Sequence, residues 1–347
     1  SMPDQSAGTW SHRIYLTELG QQHIILTGDD GNTAAKEAIL PKVTYEYSTD
    51  GTLWNPAVSG PEGWVVTGLA ANTEYRLRAR YGNIVSPPVA VTTETEQQIA
   101  GSDMETWGET EVKTLYGAQQ KLIRYYLDPQ DNPWATRNPV TTGYESGGTA
   151  STNNAPTLWR HCSNTVPTST ATEGSKAAEI STMAFYRTTY NVWFDSRSTV
   201  RNKLVSGGTA YTGYLFTGSH NANDESTFGT PHEARPDKIA FDYKYTPVSG
   251  DRCIAYAEVY DADGTRIATT GEFTSGQQET YTTQTLPLTY TTRKSKAAKI
   301  VVYFQSGTDT DKSKMSWIEG SYSATPYSHD KMVGSTLLID NVKLIYE

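Results

Sequence analysis

Cysteine is nearly missing from this chain: Cys162 and Cys253 are the two thiols in 347 residues. Two thiols make neither a disulfide framework nor a thiolate metal site, and their scarcity is compatible with any compartment. Long hydrophobic runs are missing as well, since no stretch approaches the roughly 20 apolar residues of a bilayer-spanning helix. Positive charge is in deficit. Lys and Arg number 29 against 38 Asp and Glu, a net charge of −9, and no basic stripe runs along any segment. That balance excludes nucleic acid and anionic membrane as partners. Helical periodicity is scarce throughout, and Phe is sparse at 7 residues.

Tyrosine and tryptophan are plentiful instead, at 23 and 8 residues. Both join a flat apolar face to a polar edge, which suits half-exposed sheet surfaces and binding platforms. Hydrophobic residues at 36% and charged residues at 19% are a globular composition. At about 150 residues per domain, the length predicts two or three domains.

Period-2 patterns bounded by Gly, Asp-Gly and Pro predict strands at 14–19, 23–27, 42–48, 64–68, 73–81 and 84–92. Asp50-Gly51 and Gly82-Asn83 stand where hairpins must turn. Short strands at this spacing read as a sandwich. The polar stretch from Thr92 to Gln98 then breaks the pattern as a linker. Beyond it the clearest strands are 238–245, 254–260, 299–305 and 336–346, with Asp261-Ala262-Asp263-Gly264 as a hairpin turn. A long run of strands without helices predicts a second sandwich of jelly-roll type. The expectation is an all-β protein: an immunoglobulin-like sandwich over 1–95 and a larger jelly roll over 99–347, each folding independently.

Three connections look too long for turns. They are 129–170, with Trp134 and Trp159; 217–236, with His220, His232 and Arg235; and 306–334, with Trp317, Tyr322 and Tyr327. Loops of this length in a domain carry function or pack over the core. No nucleophile elbow, phosphate loop, Rossmann glycine fingerprint or His-Glu-x-x-His is present. His220 and His232 share one connection, where a solvated pair is the simpler expectation than a metal site. Glycoside hydrolysis needs two carboxylates roughly 5–10 Å apart. Asp195, Asp224, Glu225, Glu233, Asp242 and Glu258 are the candidates, and the sequence brings no pair of them together.

Two resemblances bear on this organisation. Gly68-Leu69-Ala70-Ala71-Asn72-Thr73-Glu74-Tyr75, followed by Arg76-Leu77-Arg78-Ala79, resembles the E–F corner of fibronectin type III domains. There a Tyr opens the strand and bonds back across the corner. Tyr45-Glu46-Tyr47-Ser48-Thr49-Asp50-Gly51 with Trp54 resembles strand C of the same family, although His23-Ile24-Ile25-Leu26 replaces its usual core Trp. Further on, Gly213-Tyr214-Leu215-Phe216-Thr217-Gly218, Phe228-Gly229-Thr230-Pro231 and the run from Arg235 to Tyr245 resemble a Bacteroidetes surface-protein family. It is called the carbohydrate metabolism domain, a name that records a suspicion and not a demonstrated reaction. Gly174-Ser175-Lys176-Ala177-Ala178 and the closing run from Ser335 to Val342 fit it, and also resemble jelly-roll carbohydrate-binding modules.

The resemblance implies a secreted or outer-membrane surface-anchored lipoprotein. The opening Ser1-Met2-Pro3 reads as a cloning remnant ahead of a trimmed leader. It also implies a structural calcium ion, for which Asp103 or Glu105, the carbonyl of Ser175 or Lys176, and Asp340 match the ligand roles; the simpler expectation is that Asp340 bonds backbone amides at a strand end. The leading function is non-catalytic glycan binding or surface adhesion. Trp134 with Arg137 and Asn138, Trp159 with Arg160, and Trp317 are expected to share one glycan-binding surface. In such a surface, rings stack on sugar C–H faces while amides and charges hold hydroxyls. Trp107 and Trp193 are expected in the core. The alternatives are a glycoside hydrolase or lyase, and a structural component of a surface assembly that binds other surface proteins. An unpaired edge strand favours the last. The protein is otherwise expected to be a monomer.

Overall fold

The computed structural model describes residues 8–16, 38–115, 120–129, 132–145, 158–161, 163–185, 197–320 and 331–347. The strand expected at 23–27 lies outside the described residues, as do Cys162, Trp193, Asp195, Tyr322 and Tyr327. The architecture is all-β, and two separate apolar clusters organise it. The first gathers Ile14, Tyr45, Leu77 and Val91 between two small sheets. At its corner the Tyr75 hydroxyl accepts from the Ala70 N–H at 2.9 Å, the bond expected from the sequence. Gly51 takes φ +77° at the predicted turn, a conformation that costs glycine little.

The second cluster lies between two large sheets that face each other. The nine-stranded sheet runs in the order Trp134–Thr136, Tyr214–His220, Lys299–Gln305, Cys253–Tyr260, Arg266–Thr269 and Thr289–Tyr290, with three short strands off this path. The seven-stranded sheet runs Thr165–Thr168, Ala177–Phe185, Lys331–Ile345, Lys238–Thr246 and Gln278–Pro287, with two more off the path. Alternation decides which side chains meet. Leu215, Val302, Phe304, Ala255 and Ala257 point inward from one sheet; Ile180, Phe241, Tyr243 and Ile339 point inward from the other. Phe241 and Phe304 touch across the gap in an edge-to-face pair with centroids 5.0 Å apart.

Two sequence expectations need correction. The stretch 129–170 is not one irregular loop. Its described residues form the strands Trp134–Thr136, Thr142–Glu145, Leu158–His161 and Thr165–Thr168 around a short helix at Asn138–Thr141. Thr, Asn and Gly mask strands that are held by pairing instead of by their own apolar pattern. The chain is also not free of longer helix, because Arg197–Gly207 forms one of 11 residues. Its sequence, RSTVRNKLVSG, lacks an apolar stripe. Leu204 secures it against Met315 and Met332.

The two clusters are joined through a polar seam. Arg235, fully buried, donates to Glu94 at 2.8 Å, to the Thr9 carbonyl at 3.0 Å and to the Arg293 carbonyl at 2.8 Å. Its guanidinium lies 4.4 Å from the Trp10 ring, which meets Tyr290 edge-on at 4.7 Å. On the linker, the Gln98 side chain bonds both the N–H and the carbonyl of Leu344, much as a paired strand would.

Candidate functional site

The outer face of the nine-stranded sheet carries a row of aromatic rings. Tyr256 is in register with Tyr303, and Tyr303 with Phe216, so the three side chains stand side by side on one face. Tyr256 stacks on Tyr303 with centroids 4.9 Å apart and planes 19° apart. Phe216 stacks on the other side of Tyr303 at 6.0 Å. Tyr214 joins from the next row, 5.8 Å from Tyr303.

A tight approach adds the fifth ring. The strand Ser226–Phe228 folds back on Tyr214–His220 with Gly218 opposite Phe228. Gly218 has φ +143°, and a Cβ there would fall 2.0 Å from the Thr227 carbonyl oxygen. Only glycine fits. Phe228 thereby reaches Phe216 at 4.9 Å while remaining 43% exposed. Phe216 and Tyr303 are the buried floor; Tyr214, Tyr256 and Phe228 are the accessible rings.

Polar groups rim the platform and are fixed in place. Arg137 donates to both Asp224 carboxylate oxygens, to the Thr212 carbonyl and to the Tyr214 hydroxyl, with its guanidinium 4.7 Å from the Tyr214 ring. Burial pushes the Asp224 carboxyl up, yet the hydrogen bonds and charge of Arg137 outweigh it and hold the group below its ordinary range. His220 reaches Asp224 at 3.0 Å and Ser226 at 2.8 Å, and burial lowers its pKa against the pull of Asp224. Gln305 accepts from the Tyr303 hydroxyl at 2.6 Å. Glu258 accepts from the Tyr260 hydroxyl at 2.6 Å and pairs with Arg266 at 2.7 Å; burial and that carboxylate push the Tyr260 phenol up to about 12. Such a surface can stack sugar rings and hold hydroxyls.

The sequence-predicted site residues do not converge. Trp134 is the clearest correction: its ring is 6% exposed, packs on Phe304, and donates from Nε1 to the Ala100 carbonyl at 3.0 Å. It is core because the strand Trp134–Thr136 turns it inward. Asn138 is fully buried and bonds Tyr125 and Thr165 backbone groups, a structural role. Trp317 lies on the opposite sheet, beside Met315 and Met332. The backbone of Trp159 and Arg160 is strand, and their side chains lie outside the described residues. Of the six, Arg137 alone is placed at the aromatic face. His220 and His232 engage separate partners, His232 meeting Tyr346. Trp107 packs against the main core, as expected.

The residues matched to calcium do not present its ligand set. The Glu105 carboxylate receives the N–H groups of Ser175 and Lys176 and the Ser175 hydroxyl, all at 3.0 Å. Those amides hold its carboxyl below the ordinary range. Asp340 receives the Thr172 N–H at 2.6 Å and the Asn341 N–H at 2.8 Å, and the Thr172 hydroxyl lies between it and Asp242, at 2.9 and 2.8 Å. Asp103 receives the Glu105 N–H. Calcium wants six to eight oxygens, whereas these carboxylates face hydrogen-bond donors. Among the described residues no three His, Cys, Asp or Glu gather as a metal set. Dialysis against a calcium chelator is therefore expected to leave the melting temperature unchanged; a clear drop that calcium reverses contradicts this reading.

The signal for the aromatic face was present in the strand Cys253–Tyr260. Ile254, Tyr256, Glu258 and Tyr260 alternate with Cys253, Ala255, Ala257 and Val259, so one face is small and apolar while the other is large and aromatic.

No family model matches this chain, and no curated protein is similar to it. The likeness to the Bacteroidetes family thus rests on its motifs alone. Solved structures do show distant similarity. A carbohydrate-binding module of the β-sandwich superfamily is 10% identical with TM-score 0.29, covering 87% of this chain and 85% of that one. A family 28 module specific for non-crystalline cellulose is 10% identical with TM-score 0.26, covering 52% and 80%. A family 11 module of a cellulosomal cellulase of Clostridium thermocellum is 12% identical with TM-score 0.27, covering 69% and 95%. Likeness at this level carries no argument about function.

Proposed function

We propose that this protein binds glycan, without catalysis, on the outer face of its nine-stranded sheet. One observation supports the reading above the others: three accessible rings, Tyr214, Tyr256 and Phe228, are mounted on a packed aromatic floor with a fixed polar rim. Aromatic groups left half-exposed on a sheet serve stacking on apolar C–H surfaces, and the Asp224, Arg137 and Glu258 groups can exchange hydrogen bonds with hydroxyls. Opposite charges are interleaved there, as in the Arg137–Asp224 and Arg266–Glu258 pairs. The chain as a secreted or surface-attached protein, with its N-terminal sheets as a fibronectin-like carrier, completes the proposal.

Titration calorimetry with soluble oligosaccharides, chosen by a glycan-array screen, tests it. Each stacking ring contributes about 1 kcal/mol, so Tyr256→Ala or Tyr214→Ala is expected to weaken binding roughly fivefold. Trp134→Ala, by contrast, is expected to cost about 3–5 kcal/mol of stability through the cavity it leaves. Absence of glycan binding by the parent protein, or alanine variants that bind as it does, refutes the reading.

A further inference from the structure

Among the described residues, sheet edges are mostly short or carry a blocking residue. The two-stranded pair Trp107–Leu115 and Gln120–Leu127 is long, but Glu109, Glu111 and Lys113 stud one strand and Lys121 and Arg124 the other. Thr165–Thr168, at one edge of the seven-stranded sheet, contains Pro167. Charges and prolines of this kind keep edges from pairing with other chains. The opposite edge is different. Gln278–Pro287 runs for ten residues with Glu279 as its sole charge. Glu279 lies where the pairing slips, between the Tyr243–Thr282 and Tyr245–Gln278 partners. Past that irregularity, residues 282–286 pair without interruption with 239–243 on one side. On the other side no described residue pairs with them.

We propose that a second copy of this chain pairs there, antiparallel, about a two-fold axis through Gln284. The two seven-stranded sheets would then join into one. The occupant follows from the sequence itself: Thr282-Thr283-Gln284-Thr285-Leu286 reads almost alike in both directions. A two-fold interface is self-complementary by construction. Thr283 meets Thr285 of the other copy on both sides of the axis, a favourable cross-strand pair, and Thr282 meets Leu286. Gln284 meets its own counterpart. No charge opposes a like charge within the paired stretch. Thr283 and Thr285 are exposed, with the Thr283 hydroxyl on Asp242 and the Gln284 amide on the Thr285 carbonyl at 3.2 Å. An unrelated extended peptide would gain the same backbone bonds but has no use for the two-fold match. The edge belongs to the sheet opposite the aromatic face, so pairing leaves that face clear. Five residues per copy bury little area, and two chains of net charge −9 repel. Association is accordingly weak, with a Kd on the order of 10⁻⁴ M, in place of the monomer expected from the sequence.

Sedimentation equilibrium of the full chain tests this from about 10 μM to about 1 mM, a range bracketing that Kd. The average mass of the parent is expected to climb from monomer toward dimer. Gln284→Lys sets two ammonium groups across the axis, and Gln284→Glu two carboxylates. Each is expected to weaken association about tenfold or more, and an equimolar mixture of the two to restore it as a mixed pair. The mixing arm reads charge complementarity directly, so a general loss of stability in either variant cannot imitate it. A parent that stays monomeric throughout, variants that associate as the parent does, or a mixture that recovers nothing overturns the proposal.

Discussion

Replacing Arg235 with methionine is expected to lower the unfolding free energy by about 3–5 kcal/mol, the cost of stranding a buried charge. Arg235 is completely buried and Glu94 nearly so, with a side chain 11% exposed. Methionine keeps the apolar stem against Trp10 but leaves the Glu94 carboxylate without its cation. It also removes one donor from each of the Thr9 and Arg293 carbonyls, the latter keeping the Trp10 indole N–H at 3.3 Å. Burial already pushes the Glu94 carboxyl up, with Arg235 as the chief counterweight. Removing the guanidinium raises it further.

The pH dependence of the deficit follows from that sign. A carboxyl whose folded-state pKa is raised stabilises the fold below its unfolded value and loses that contribution as pH rises through the folded one. The Arg235→Met deficit, measured against the parent by urea unfolding, is thus expected to shrink toward acid. Adding Glu94→Gln should recover part of the loss at neutral pH, because no buried charge is then left alone. Losses that simply add in the double variant mean that the pair is not coupled. The same contacts bear on the carrier role of the N-terminal sheets. Thr9 and Trp10 precede the linker, Glu94 lies in it, and Arg235, Tyr290 and Arg293 follow it, so this seam stabilises both cores together.

Much of the fold was legible because it is written in local alternation. Lys238–Thr246, Cys253–Tyr260 and Lys299–Gln305 each stand within a residue or so of where period-2 patterning placed them. The bond from Ala70 to Tyr75 spans five residues and needs no knowledge of distant partners. The aromatic face was not legible in that way. Tyr214, Tyr256 and Tyr303 each stand more than forty residues from the next in sequence and become neighbours only through the order of the strands that carry them. Patterning fixes which residues share a face but not which strand lies beside which. The tryptophans misled for a related reason. Trp134 sits amid polar residues that resemble a loop, yet three cross-strand partners on Tyr214–His220 turn its ring into the core. Arg235 looked like one more charge in a long connection, and nothing local to it reveals that Glu94 and Trp10 close over it.

Stability is expected to fall by about 3 kcal/mol as pH drops from 6.5 to 4, with His232 as the main cause. His232 is 1% exposed, and burial lowers its pKa from 6.5 to about 4. Its proton is accounted for. The Tyr346 hydroxyl has one hydrogen and donates it to the Gln97 carbonyl at 2.6 Å. The contact between that hydroxyl and His232 Nε2, at 3.0 Å, therefore has the imidazole as donor, so the neutral ring carries its hydrogen on Nε2. This chain of bonds ties the linker to the last strand, and a second proton would charge a ring sealed from water. Between pH 6.5 and 4 the unfolded chain binds a proton that the folded one refuses, so stability rises with pH across that window and levels off above it. His220, also lowered by burial, acts in the same direction. His12 acts in the opposite one: its pKa is raised, chiefly by the bond to the Leu69 carbonyl, so its contribution is lost as pH rises above 6.5. Asp224 and Glu105, both lowered, add their losses as pH falls through and below the ordinary carboxylate range, and Glu94, raised, works against the fall. His232→Gln keeps an N–H for Tyr346 without the titration. It is expected to flatten most of the slope between pH 6.5 and 4 in urea unfolding, while His220→Gln removes a smaller share. An unchanged slope in His232→Gln shows that the ring takes up its proton in the folded state, and the seal around it would then have to open at acid pH.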